Sequence, residues 1–292
     1  MVSFRKFLTE SYSLNSSRMN EARANKDGKF VPKTRKQLDK LVKDESIHLG
    51  DIDVSNITDF SGLFSNSVRK DFSGIENWDV SNATDMSEMF HEVRHFNEPI
   101  GNWDVSNVKD MSRMFKQCQG FNQDISRWDV SKVTNMSEMF SFCHRFNKPL
   151  ENWDVSSVTD MSFMFCEAQK FNKPLNKWNV RNVTKMNTMF SDCLEFNQPL
   201  DKWNVSNVTD MRTMFSYTKR FNQPLDKWNV RNVEDVWRMF YKAEAFNQDL
   251  SSWLQKNKNI RFSAMFDSKK YDLYRDKDRP IRIRSRITGE YI

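Results

Sequence analysis

The sequence predicts a repeat solenoid, and three observations carry that prediction. Tryptophan recurs at Trp78, Trp103, Trp128, Trp153, Trp178, Trp203, Trp228 and Trp253, a constant step of 25 residues. A Phe-Asn pair keeps the same step from Phe96 to Phe246. Between them runs a recurring stretch of the form WDVSNVTDMSxMF, followed by FNQPL. A fixed period of 20–50 residues marks a stacked array, because a unit this small cannot bury its own apolar face and must share a core with its neighbours.

The chain divides accordingly. Residues 1–30 form a polar N-terminal segment and linker with too few apolar residues for a core. Residues 31–51 hold a helical cap, for Thr34 is a good N-cap and Leu38, Leu41 and Val42 follow at helical spacing. The repeats span 52–266 in about eight coils. The first, Ile52 to Phe64, has Ile in place of Trp and one extra residue before the next unit; the last loses the Ser-Asn-Val core. Residues 267–292 form a basic tail whose Ile281 and Ile283 alternate with Arg282, Arg284 and Arg286, an edge strand suited to adding to a sheet, on this chain or another.

Within a unit, Leu150, Trp153 and Val155 alternate with Asn152, Asp154 and Ser156, the period of a short strand. The two Met positions, the Phe and a small residue then fall at i, i+3, i+4 and i+7, which predicts one helical or 3₁₀ turn capped by Thr or Asp. Two asparagine columns suit ladders between coils. Lys132 and Ser157 interrupt the one after the strand, so it is not expected to be continuous, whereas the Phe-Asn column has no gap. Three of the four cysteines (Cys118, Cys143, Cys193) share a column with Val93, Ala168, Thr218 and Ala243, a small buried position that favours reduced, packed thiols.

These motifs, LxxWxVSNV, MSxMFxxC and FNQPL, resemble the BspA-like leucine-rich repeat family of bacterial surface proteins. The resemblance implies a leucine-rich-repeat-like solenoid with short parallel strands on the concave side, helical turns on the convex side and a binding role without catalysis. Eight stacked strands would make a sheet about 40 Å long. The N-terminal MVSFRKFLTES also resembles the start of virion proteins of contractile-tailed bacteriophages, in which a protease cuts after a triplet such as Leu8-Thr9-Glu10. That resemblance implies a virion component made in the host cytoplasm; the alternative is a cell-surface adhesin. No apolar h-region stands at the N-terminus and no run of about 18 apolar residues occurs anywhere, so neither a signal peptide nor a membrane-spanning helix is expected.

No enzyme and no cofactor is expected. His91-Glu92-Val93-Arg94-His95 spells a zinc-helix motif, but it falls on an outer turn, with only His48 and His144 left as further histidines. The Asp85, Asp110, Asp160, Asp210 and Asp235 column is broken by Asn135 and Lys185, and capping explains it better than calcium.

Partners are to be sought where units differ. Residues 46–165 carry 10 basic and 18 acidic side chains, residues 166–266 carry 16 and 10, and both ends are basic. Lys177, Arg181, Lys202, Lys227 and Arg231 line one face as a basic strip for an acidic protein, an acidic glycan or nucleic-acid phosphates; no aromatics interleave with them, so base stacking is not expected there. Phe142, Phe163, Tyr217, Trp237 and Tyr241 intrude into polar columns of the outer turns as interface anchors. The best functional expectation is a non-catalytic protein-binding or structural repeat protein, with a nucleic-acid-contacting protein as a further alternative.

Overall fold

The computed structural model describes residues 28–260, 265–266, 271–274 and 282–285. The chain is a tandem repeat protein. Nine coils stack from Ile52 to Trp253, and each lies against the next through hydrogen bonds between positions about 25 residues apart.

The N-terminal cap follows the sequence. Phe30 makes a parallel bridge to Ile52, with Phe30 N–H donating to Asp51 (2.8 Å) and Asp53 N–H to Phe30 (2.8 Å). Helix α1, Arg35–Lys43, opens on Thr34, whose hydroxyl accepts from the Gln37 amide while the Gln37 side chain accepts from Thr34 N–H. Leu38, Leu41 and Val42 are buried against the first coil. Arg69 was not anticipated as core. It is 4 % exposed, and its guanidinium donates to the carbonyls of Val42, Asp44, Ile47 and Asp71, tying the cap to the loop after the first coil.

The expected strand is not formed. Trp153 and Val155 are buried, with Asn152 and Asp154 exposed, so the in–out alternation holds. No β-ladder runs through it, however: the described repeat residues make one isolated parallel bridge per coil, as at Asp85–Asp110 and Asp110–Asn135, and the 40 Å sheet is absent. Turns of the Asp-x-Ser type explain this. The Asp154 carboxylate accepts from Ser156 N–H (3.0 Å) and that of Asp160 from Ser162 N–H (2.9 Å), so the chain bends within the would-be strand and again after it.

The expected helical turn is also replaced. Met161, Met164, Phe165 and Ala168 are all buried at the predicted spacing, but the hydrogen bonds are not helical. The amides of Met161, Phe163, Phe165 and Glu167 donate across to Lys185, Asn187, Met189 and Ser191 of the next coil (2.8–3.0 Å). The alternate amides of Met164, Cys166 and Ala168 donate three residues back (2.9–3.2 Å). This zigzag needs a left-handed residue twice per coil, here Phe163 (φ 56°) and Glu167 (φ 59°), and the same two columns are left-handed from Glu88 to Lys242.

The core is one continuous set of aromatic columns. Tryptophans stack nearly parallel, as Trp103–Trp128 (6.5 Å, 2°), and each indole N–H donates to a carbonyl of the preceding coil, as Trp178 to Leu150 (2.8 Å). Phe165 stacks on Phe190 (5.7 Å) and on Phe171 of its own coil (4.2 Å). In the Phe-Asn column each side-chain oxygen from Asn97 to Asn222 accepts the backbone N–H of the next Asn, at 2.8–3.1 Å. The other column does better than expected. Asn82, Asn107, Asn182, Asn207 and Asn232 donate to carbonyls of the coil before, the Ser157 hydroxyl substitutes for the amide (2.6 Å), and Lys132 instead reaches the Asn107 oxygen.

The last Trp coil becomes helix α2, Ser251–Lys256, with Trp253 buried. Strands β1, Tyr271–Tyr274, and β2, Arg282–Ser285, pair antiparallel with each other, so the tail strand adds to a partner within its own chain and, among the described residues, keeps one edge open.

All four cysteines are free and buried. The small column is a donor position: Cys118, Cys143 and Cys193 direct their thiols to the carbonyls of Phe90, Phe115 and Phe165 (2.8–3.0 Å), and Thr218 directs its hydroxyl to Phe190 (2.7 Å). Burial pushes all four thiols up, that of Cys166 to about 12 with help from Glu167 and Asp192.

Two outcomes follow. Asn197 accepts both Asn222 N–H and the Gln223 amide, each at 2.9 Å. Asn197→Ala should therefore cost about 1–2 kcal/mol in chemical denaturation, against about 0.5 kcal/mol or less for exposed Asn152→Ala; equal costs would remove the ladder from the account. A thiol-specific alkylating reagent at pH 8 should leave the native protein unmodified and label four cysteines only after denaturation.

Candidate interaction surfaces

The basic strip is real as a strip, and partly neutralised. Lys177, Lys202 and Lys227 occupy the position before Trp in three consecutive coils and are exposed, as are Arg181 and Arg231. Lys177 pairs with Glu151 (3.3 Å) and Lys227 with Asp201 (3.6 Å). Among the described residues, no carboxylate lies within ion-pair reach of Arg181, Lys202 or Arg231. An open depression of about 510 Å³ lies beside Arg231, lined also by Asn207, Asn232, Glu234 and Asn257. The four coils in front carry Asp79, Asp104, Asp129 and Asp154 in the position after Trp, all exposed; the three behind carry Asn179, Asn204 and Asn229. Asp and Asn make the same turn, so the column changes charge without changing shape.

The aromatic residues divide. Tyr217, Trp237 and Tyr241 come together on the last coils, with two cations between them. The Arg238 guanidinium lies over Trp237 (4.4 Å) and Tyr241 (4.7 Å), and the Lys242 ammonium over Tyr217 (5.1 Å) and Tyr241 (5.6 Å). Tyr217 and Tyr241 meet edge to face at 5.4 Å. Trp237 is 47 % exposed. Phe142 and Phe163, each 37 % exposed, stand apart from this group, and Phe142 packs its ring edge near His144 (6.3 Å). The cations were not picked out from the sequence, though Lys242 stands 25 residues after Tyr217, in the same column.

The metal-like motifs have structural roles. The segment from His91 to His95 is turn, not helix, so its two imidazoles do not share a helical face. His95 Nε2 bonds the Arg69 carbonyl (2.9 Å), and its ring packs on Phe72 (5.8 Å). The Asp85, Asp110, Asp160, Asp210 and Asp235 carboxylates cap the amide two residues on, at 2.7–3.1 Å, and where Lys185 replaces Asp it reaches Asp160 (3.1 Å). Among the described residues, no cluster of three His, Cys, Asp or Glu could hold a metal ion, and no helix is long and apolar enough to cross a membrane. The candidate processing site Leu8-Thr9-Glu10 lies outside the described residues.

The exposed turn carboxylates fix a pH response. Hydrogen bonds from Ser131, and at Asp124 from Ser126, hold Asp129 and Asp124 below the usual carboxylate range. A depressed folded value contributes stability that is present above the unfolded value of about 3.9 and is lost as pH falls through the folded one. The denaturation midpoint should therefore drop on acidification below about pH 4. Asp129→Asn should flatten that drop while keeping the neutral-pH midpoint, since Asn fills this column in later coils; an unchanged acid limb would refute the assignment.

No curated protein and no solved structure matches the chain. A family described as "Mycoplasma protein of unknown function, DUF285" matches three overlapping stretches, residues 36–149, 101–198 and 174–273. These tandem matches show the repeat character and give no support to the bacteriophage resemblance. They cover most of the stacked coils and more than half of the sequence, and on that extent the chain belongs to this family of repeat proteins.

Proposed function

We propose that this chain is a non-catalytic repeat protein that contacts another protein through the aromatic and cationic patch of Tyr217, Trp237, Arg238, Tyr241 and Lys242. On this reading its coils are the plan of a leucine-rich-repeat-like solenoid, with tight turns where such a solenoid has helices. The relation of the family to BspA-like surface repeats favours display at a cell surface.

One observation carries the reading. Trp237 stands in a column that Ser87, Ser112, Ser137 and Ser162 fill in earlier coils and Asn187 and Arg212 in the two just before it, and it keeps the same cap, its amide donating to Asp235 (2.8 Å). Folding asks for nothing larger than serine there, yet the largest side chain is present and half exposed. Exposed Trp, Tyr and Arg are the residues that dominate protein interfaces. The protein's own cations already cover the ring faces, which favours a protein contact over base stacking.

The test is a photo-crosslinking residue at position 237 in the cell of origin. A discrete protein adduct is expected there, and none from the same residue at exposed position 70, which lies off that patch. Trp237→Ser should weaken binding of the captured protein at least tenfold, about 1.4 kcal/mol, with an unchanged melting temperature. No adduct at 237, or undiminished binding by the serine variant, sinks the proposal. External protease on intact cells decides the surface reading separately, since a chain cut only after lysis is not displayed.

A further inference from the structure

The face formed by the positions one before, one after and three after each Trp runs from acidic to basic along the stack. We infer that it is self-complementary and that its occupant is a second copy of this chain, packed antiparallel. The first four Trp coils present Asp79, Asp104, Asp129 and Asp154 with one cation, Arg127. The next three present Lys177, Arg181, Lys202, Lys227 and Arg231 with no carboxylate in those columns. Both halves are built on the same 25-residue step, so their charges have the same spacing and stay in register over several coils.

A two-fold axis perpendicular to the stack, parallel to the run of each coil past its Trp and lying between the Trp153 and Trp178 coils, satisfies the pattern. It sets the Trp153 coil against the Trp178 coil of the second copy, Trp128 against Trp203, and Trp103 against Trp228. Positions one after Trp then face each other: Asp154 meets Asn179 of the second copy, between its Lys177 and Arg181. Asp104 meets Asn229 of the second copy, between its Lys227 and Arg231. In the middle row Asp129 lies beside Lys202 of the second copy, and Arg127 is the one cation set against a like charge. Every contact occurs twice, as an isologous interface requires. A parallel pairing would set like-charged coils against each other, so the charges select one orientation. Arg181, Lys202 and Arg231, which lack a carboxylate partner within the described residues, are the cations the second copy would pair.

The inference is independent of the aromatic patch and is tested without it. The repeat supplies substitutions that its own columns already tolerate. An all-basic variant carries Asn102→Lys, Asp104→Asn, Asp129→Asn, Asn152→Lys and Asp154→Asn. An all-acidic variant carries Lys177→Asn, Asn179→Asp, Arg181→Ser, Lys202→Asn, Asn204→Asp, Lys227→Asn, Asn229→Asp and Arg231→Ser. Sedimentation velocity at about 20 mM salt should show the wild type as a dimer whose dissociation constant rises at least tenfold at about 0.5 M, where screening shortens to a few ångströms. Each variant alone should be monomeric, and an equimolar mixture should restore the dimer. A wild type that stays monomeric at low salt, variants that dimerise alone, or a mixture that does not associate would overturn the proposal. So would a monomeric wild type that retains single-stranded DNA through the basic half, since the strip would then serve a nucleic acid.

Discussion

Everything in the stack depends on the zigzag of amides in the Met-x-x-Met-Phe segment. Every second N–H reaches the next coil and the others close turns within their own. A single coil would leave half of these donors unmade, each costing on the order of 1–3 kcal/mol where water is excluded. The bonds fix the register, and the register fixes the period. Departures in length fall elsewhere: before Trp78 the segment from Phe64 to Phe72 is two residues longer than its counterparts and that from Phe72 to Trp78 one shorter, both after the zigzag. The left-handed residues that the zigzag demands are unfavourable for most side chains, and they persist because both neighbouring coils over-determine them.

That constraint explains where the repeat is free to vary. Gly62, Glu88, Arg113, Glu138, Phe163, Thr188, Thr213 and Arg238 share one left-handed column; Asn66, Glu92, Gln117, Phe142, Glu167, Asp192, Tyr217 and Lys242 share the other. The backbone there is held by cross-coil bonds and not by the side chain, so the identity of the residue is open. Tyr217, Arg238 and Lys242 of the aromatic patch all stand at such positions. The proposed contact patch thus draws on the places where the fold asks least.

Burial was legible in the sequence, and conformation was not. The spacing i, i+3, i+4, i+7 correctly buries Met161, Met164, Phe165 and Ala168, but a helix and a zigzag of turns give the same spacing and differ only in where their amides point. Trp153 and Val155 likewise alternate with exposed residues without a strand, because alternation reports which side faces the core and says nothing about pairing. Arg69 was missed because composition assigns arginine to the surface, and only the unpaired carbonyls at the end of α1 call for it. The basic strip was legible as one face, because its residues keep fixed offsets from Trp. The grouping of Tyr217, Trp237 and Tyr241 with Arg238 and Lys242 was not, since it depends on which columns of neighbouring coils touch.

The charge gradient is separable from folding, and this gives it its meaning. Asp and Asn after Trp both accept the amide two residues on, so replacing Asp154 by the Asn of later coils keeps the turn and removes one charge. From Trp78 to Trp228 the position before Trp holds Asn, Arg or Lys, exposed in each coil. Stacking therefore cannot distinguish an acidic coil from a basic one, and random drift under a fold constraint alone would scatter the two kinds along the chain. They are instead sorted, four coils and then three, with the change between Asp154 and Lys177. A sorted pattern in columns to which the fold is indifferent is the imprint of a contact, and an oriented contact with matching period is most simply made by the only other object with that period, a second copy of the same stack.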